Sequence, residues 1–370
     1  MKRIGNSFKG IAGGFVAILI GIVLLWWNEG NNVKNIKTTA EMSKTYIDVS
    51  SETVDSSNEG KLIATHGKLI NEVELSDITF GVTVKSPVLE RIVEIYEWEE
   101  ESDTDEDGNT TYRYNKVWKD SLINSSDFHQ GGHQNPASMP YGSEKYTSPQ
   151  VMVGAFVLSK DQINMLSTKE TYTNFNEDKV KELDYTVNGN YITNAKDLAN
   201  PEIGNIRISF VYNNSNDVSV LAVQSGNSFK DFESSYGKSI NRVMDGILSG
   251  KEMIKVIEKE NKILKWILRA AGALIIICGV ATILKPISAI TSYVPILGSI
   301  VGAAVGLISF AIGLAISFII IAIAWIRFRP ILGISLLAGA VILIVLLVIR
   351  GKNKKPTNVT NNADQNVENN

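Results

Sequence analysis

The sequence predicts an α+β membrane protein with four transmembrane helices, one N-terminal and three C-terminal. A large β-rich extracytoplasmic domain is expected between the first and second. Three observations lead there. Apolar residues of the 370-residue chain gather in a block after Gly10 and in a tract from Trp266 to Ile349, where only Arg269, Lys285, Arg327 and Arg329 are charged. No soluble domain needs such a tract. The intervening residues 28–265 hold 25 Lys/Arg against 37 Asp/Glu, and they are broken into short β-branched and aromatic runs of the kind that form strands.

Taken in order, residues 1–10 carry Lys2, Arg3 and Lys9 and form a cytoplasmic N-terminus. Residues 11–27 make the first span. Its apolar core runs into Leu24-Leu25-Trp26-Trp27 instead of small residues, which predicts an interfacial anchor and not a cleaved signal. Residues 28–229 form the β-rich domain, with strands at Ile92–Glu97, Tyr112–Trp118, Val151–Leu158, Ile206–Tyr212 and Val218–Val223. The first two flank a polar stretch ending Asp107-Gly108, a hairpin signal. Short helices are expected near Lys160–Leu166 and Asn176–Leu183. In residues 230–265 the spacing of Ile240, Val243, Met244, Ile247, Met253, Ile254 and Ile257 predicts an amphipathic juxtamembrane helical segment.

The C-terminal tract then divides into spans at 266–284, 298–325 and 331–349. A loop at 285–297 is set by Lys285, Pro286 and Pro295, and Arg327, Arg329 and Pro330 end the third span. The Asn-rich tail, 350–370, reads as disordered and cytoplasmic. Four spans put both termini on one side. Lys2, Arg3, Lys9 and the cluster Arg350, Lys352, Lys354 and Lys355 make that side cytoplasmic. Arg327 and Arg329 then fall on the far side, against the rule.

An acidic body argues against nucleic-acid binding. Cys278 is the single cysteine, so no intrachain disulfide forms. Asp103-Thr-Asp105-Glu-Asp107-Gly108 begins like a calcium loop, but its twelfth position is Tyr114 where a Glu ligand is needed. A solvated hairpin tip is the expectation. His129 and His133 are separated by Gln130-Gly131-Gly132 and followed by Asn135-Pro136, so a loop is expected in preference to a helical metal site. No catalytic serine elbow, phosphate loop or dinucleotide fingerprint occurs. Neither catalytic nor metal residues nor a cofactor are expected.

Between Glu260 and Asp364 there is no Asp, Glu or His, which disfavours ion-coupled transport. The membrane region instead has small residues at packing spacing: Gly10 and Gly14 in the first span, and Gly298, Gly302 and Gly306 in the third. These serve packing within one bundle or between subunits.

The residues, in order, resemble the transmembrane protein 43 (LUMA) family. Trp27-Asn28-Glu29-Gly30 closes the first span, and Asn58-Glu59-Gly60-Lys61-Leu62 opens the body. Tyr96-Glu97-Trp98 and Tyr112-Arg113-Tyr114 follow on the hairpin arms. After them come Gly132-His133-Gln134-Asn135-Pro136 and Gly204-Asn205-Ile206-Arg207-Ile208-Ser209-Phe210. Trp266-Ile267-Leu268-Arg269-Ala270-Ala271-Gly272 and the corner Trp325-x-x-x-Arg329-Pro330 complete the set. The resemblance implies four spans with cytoplasmic or nucleoplasmic termini and no enzymatic activity. Animal members look like self-associating scaffolds of the endoplasmic reticulum and inner nuclear membrane, linked to emerin and lamins. The Asn-, Ile- and Lys-rich composition suits a bacterial member in the cytoplasmic membrane.

The sequence therefore reads as a non-enzymatic scaffold that organises a membrane or envelope assembly. Its expected partners are the lipid bilayer, further copies of itself and a membrane or extracytoplasmic protein. A pore or permease component formed by the C-terminal helices is the alternative.

Overall fold

The structure, a computed structural model, describes residues 2–104, 109–291 and 295–335. Among the described residues, three helices are long and apolar enough to cross a membrane: α1 (Lys2–Thr45), α4 (Gly250–Thr291) and α5 (Pro295–Phe328). Between α1 and α4 lies the β-rich body, which also holds the short helices α2 (Lys160–Asn164) and α3 (Glu177–Lys181). Of the fourth span predicted over 331–349, the described residues reach 335 and are helical from Pro330. The rest of that span, and the tail at 350–370, lie outside the described residues.

The body is built on two seven-stranded sheets. In the first, Leu62–Ile70 and Asp217–Ser225 run antiparallel at the centre, with Val218 opposite Gly67. In the second, Ile206–Tyr212 pairs antiparallel with Val88–Thr104, which continues into the hairpin with Thr110–Lys119. The second sheet packs its own core of Phe80, Val93, Ile95, Ile206, Ile208 and Phe210. The first sheet is buried on both faces. Ile63, Val218, Val220 and Ala222 point into the body, whereas Leu62, Ala64 and Leu221 pack against Met42 of α1 and Met253, Ile254 and Ile257 of α4. Burial on both faces is why Val218–Val223 reads as a nearly continuous apolar run.

The strand expected at Ile92–Glu97 runs longer, over Val88–Thr104, and four larger departures from the sequence expectation follow. The first helix does not end at Trp27 but continues to Thr45. The Asn- and Gly-containing stretch after Trp27 has weak helix propensity, but α4 supplies partners for its side chains and tertiary contact overrides propensity. The helix predicted over 230–265 begins only at Gly250; before it come the strands Phe232–Glu233, Ser239–Ile240 and Arg242–Asp245. Gly237 and Gly246 adopt φ of +69° and +84°, turn conformations that a helix cannot contain. The apparent helical spacing there is produced by Val243 in register with Val220 and by Ile240 and Met244 facing the helices.

At the membrane, α4 does not stop at Lys285 but carries Pro286 inside it to Thr291, and α5 starts at Pro295, so most of the loop expected at 285–297 is helical. One proline removes one backbone hydrogen bond, which a long membrane helix bears. The strand expected at Val151–Leu158 is instead a tight hairpin, Met152–Val153 with Phe156–Val157, turning at Gly154 with φ +59°.

Candidate functional site

The helices α1 and α4 meet in antiparallel register through two successive zones. In the apolar zone a Cβ on Gly14 would lie 2.7 Å from the Gly279 carbonyl oxygen, and one on Gly279 would lie 2.8 Å from that of Gly14. One heptad along, a Cβ on Gly21 would fall 2.5 Å from Ile276, and one on Gly272 would fall 2.7 Å from Leu25. The backbones touch where no side chain intervenes, and Ile18, Ile22, Leu25, Ile276 and Val280 fill the flanks. Of the glycines expected to pack, Gly14 is closed within the chain. Gly10 makes a looser approach, 3.9 Å to Thr282, while Gly306 meets nothing within 4 Å. Gly298 and Gly302 lie about two turns and one turn before Gly306 on α5. Sequence reasoning missed Gly21, Gly272 and Gly279; the matching seven-residue spacing on the two helices was the available signal.

Past Trp27, the contact turns polar. Asn28 Nδ2 donates to the Lys265 carbonyl at 3.1 Å, and Asn35 Nδ2 donates to Asn261 Oδ1 at 2.8 Å. Glu29 is the centre of the zone, its side chain only 1% exposed. Its Oε1 accepts from Arg269 Nε at 2.6 Å, and its Oε2 accepts from Trp325 Nε1 at 2.8 Å. One carboxylate thus joins all three helices. The Arg269 guanidinium is flanked by the rings of Trp266 at 4.7 Å and Trp325 at 5.7 Å. A buried carboxylate is tolerable because both oxygens are satisfied and a cation balances it.

The remaining motif residues close the same junction. A Cβ on Gly30 would come within 2.9 Å of the Phe328 ring, and that ring also packs against Trp26 at 5.4 Å. Trp27 itself faces outward, 54% exposed, as an interfacial tryptophan does. The Arg329 amide donates to the Trp325 carbonyl at 2.7 Å, capping α5 before Pro330 turns the chain. The Arg329 Nη2 is buried without a hydrogen-bond partner. Thus Asn28, Glu29, Gly30, Arg269, Trp325, Arg329 and Pro330 form one three-helix corner, though the partners of Glu29 are 240 and 296 residues away in sequence.

His133, Asn135 and Pro136 lie elsewhere, in the loop covering the long hairpin. Asn135 imitates a strand partner: its Oδ1 accepts from Trp98 N at 2.7 Å and its Nδ2 donates to Trp98 O at 2.8 Å. His129 stacks on Tyr112 at 4.0 Å and His133 on Tyr114 at 3.8 Å, so the two histidines clamp the loop to one face of the hairpin. No group of three or more His, Cys, Asp or Glu converges among the described residues. A Cβ on Gly204, where φ is +91°, would lie 3.4 Å from the Pro136 ring. Beneath this loop, burial pushes the Glu97 carboxyl up, opposed by the Ile123 N–H it accepts. The calcium-like tip at Asp105–Gly108 lies outside the described residues, and Thr104 pairs with Thr110 below it.

The sequence model of a family described as "Transmembrane protein 43" matches residues 95–330. Transmembrane protein 43 of Homo sapiens is 28% identical over 371 residues, covering 95% of this chain and 92% of that protein. The Mus musculus protein of the same name is 27% identical with the same coverage. The transmembrane protein 43 homolog of Drosophila melanogaster is 28% identical over 88% of this chain and 91% of its own length. No solved structure matches. The chain belongs to the transmembrane protein 43 family.

Proposed function

We propose that this member of the transmembrane protein 43 family is a non-enzymatic, self-associating membrane scaffold, its body held outside the cytoplasmic membrane of a bacterium. One observation carries the reading. The helices α1 and α4 run unbroken from the apolar zone into the first sheet, where Met42, Met253, Ile254 and Ile257 share a buried cluster with Leu62, Ala64 and Leu221. Ser235 reinforces the join by donating from its N–H and hydroxyl to Glu41 of α1. A body without a flexible linker is oriented by whatever its membrane helices associate with, so association in the bilayer sets the spacing of bodies above it.

Gly14, Gly21, Gly272 and Gly279 are consumed within the chain, whereas Gly306 on α5 is open, as is Gly13 on α1. With its glycines spaced four apart from Gly298 to Gly306, α5 supplies the face for a second copy, and the acidic body supplies the surface for a membrane or extracytoplasmic protein partner. The test is cross-linking in native membranes followed by mild extraction. A discrete homo-oligomer, shifted toward monomer by Gly306→Leu, is the expected result. A monomer under every mild condition overturns the reading.

A further inference from the structure

A cavity of about 500 Å³ opens at the body end of the membrane helices, walled by α1, the end of α5 and the turn at Ser235–Tyr236. Its charged lining is entirely basic: Lys34 and Lys37 from α1 and Arg327 from α5. Among the described residues none of the three has a carboxylate within ion-pair distance. Lys37 lies 5.2 Å from the Tyr236 ring and Arg327 lies 5.9 Å from the Phe328 ring. The rest of the lining, including Val33, Phe328 and Pro330, is largely apolar. Three uncompensated cations around one cavity run against an acidic body and call for an anion.

Depth and continuity identify the anion. Lys34 is seven residues beyond Trp27 on the same helix, or roughly 10 Å at 1.5 Å per residue. An interfacial tryptophan marks the edge of the hydrocarbon, and the polar layer outside it is roughly 5–8 Å thick. The cavity therefore starts within the headgroup layer at Gly30, roughly 5 Å beyond Trp27, and rises above that layer to Lys34 and to Lys37, roughly 15 Å beyond it. On the membrane side of Gly30 and Arg327 along their own helices, Trp27, Ile323 and Ile326 are exposed apolar side chains, a surface open to acyl chains. The site also accounts for Arg327, a cation on the side of the membrane where Lys and Arg are normally scarce.

We propose that this cavity is a binding site for the headgroup of an anionic phospholipid from the leaflet facing the body. The phosphate lies among Lys34, Lys37 and Arg327, and the acyl chains descend along the end of α5. The site is independent of self-association, since all of its residues come from one chain.

The test uses the full-length protein in nanodiscs of phosphatidylcholine with a minority of phosphatidylglycerol, followed by lipid retention in native mass spectrometry. The expected result is one phosphatidylglycerol retained per chain in preference to phosphatidylcholine. Its affinity falls on the order of 100-fold in K34A/K37A/R327A, taking each cation at its usual worth near an anionic surface. The charge-preserving K34R/K37R/R327K keeps the lipid, which separates loss of charge from loss of fold. The neutral triple K179A/K181A/K196A, on the body surface, keeps it as well. Equal retention of both lipids, or unchanged retention in K34A/K37A/R327A, overturns the proposal. So does saturable binding of inorganic phosphate to the lipid-free protein with no lipid preference, which would assign the cavity to a soluble anion.

Discussion

The helices α1 and α4 are held together twice, by opposite means. In the apolar zone, Gly14 meets Gly279 and Gly21 meets the Gly272–Ile276 turn, and Thr282, facing Gly10, donates its hydroxyl back to Cys278 within α4. Beyond Trp27 the same pair is joined by Asn28, Glu29, Asn35, Asn261 and Arg269. The difference follows from the solvent. Within lipid, apolar side chains gain nothing by leaving the tails, so association needs close backbone approach. At the interface, water competes for every polar group, and a buried ion pair persists only when fully satisfied. The first zone sets the distance between the helices; the second fixes their register and brings in α5.

Three substitutions probe the contrast in descending order of expected effect, with Gly306→Leu as a neutral control. Glu29→Ala leaves Arg269 buried without its partner and the Trp325 N–H without an acceptor, so a loss of about 3–5 kcal/mol is expected. Unfolding of the purified protein in bicelles measures it. Gly14→Leu forces a side chain into the Gly279 backbone and costs about 1–3 kcal/mol, while Gly306→Leu leaves the monomer's stability unchanged. Equal effects of the two would mean that α1 and α4 do not touch at their glycines. Asn35→Ala removes one side-chain bond at the upper end of the polar zone and costs about 1 kcal/mol.

The smallest effect lies in the body and depends on pH. Burial raises the Asp245 carboxyl, but hydrogen bonds from Lys169, Ser167 and Ser215 outweigh it and hold the group below its ordinary 3.8. A lowered carboxyl stabilises the fold above the unfolded value and loses that contribution as pH falls through the folded one. Asp245→Asn is therefore less stable than the parent at neutral pH, and the gap narrows below about pH 4. Urea titrations at pH 7 and pH 3 show whether it does.

Much of the architecture was legible because it rests on local signals. Ile206–Tyr212 is a strand with the expected bounds, and the described parts of the apolar tracts are almost wholly helical. The paired runs around Asp107-Gly108 are the arms of a hairpin, and Ser159 and Asn176 cap the two short helices where the sequence placed them. What escaped depends on distant partners. Asn28 to Asn35 look like a helix stop until Lys265 and Asn261 are set beside them. Ile240 to Ile247 have helical spacing until the strand at 217–225 claims Val243. The corner motif was visible as separate pieces, Trp27–Gly30, Arg269 and Trp325–Pro330. Nothing local says that one carboxylate joins them.

The central claim, that Glu29 and Arg269 act as one unit locking α1 to α4, is tested most directly by a double-mutant cycle. Unfolding free energies are measured in bicelles for the parent, Glu29→Leu, Arg269→Leu and the double variant. Each single change is expected to be strongly destabilising and the double far less so than their sum, with a coupling of about 2 kcal/mol or more. Additivity within about 0.5 kcal/mol would mean that the two side chains do not interact and that the register is fixed elsewhere.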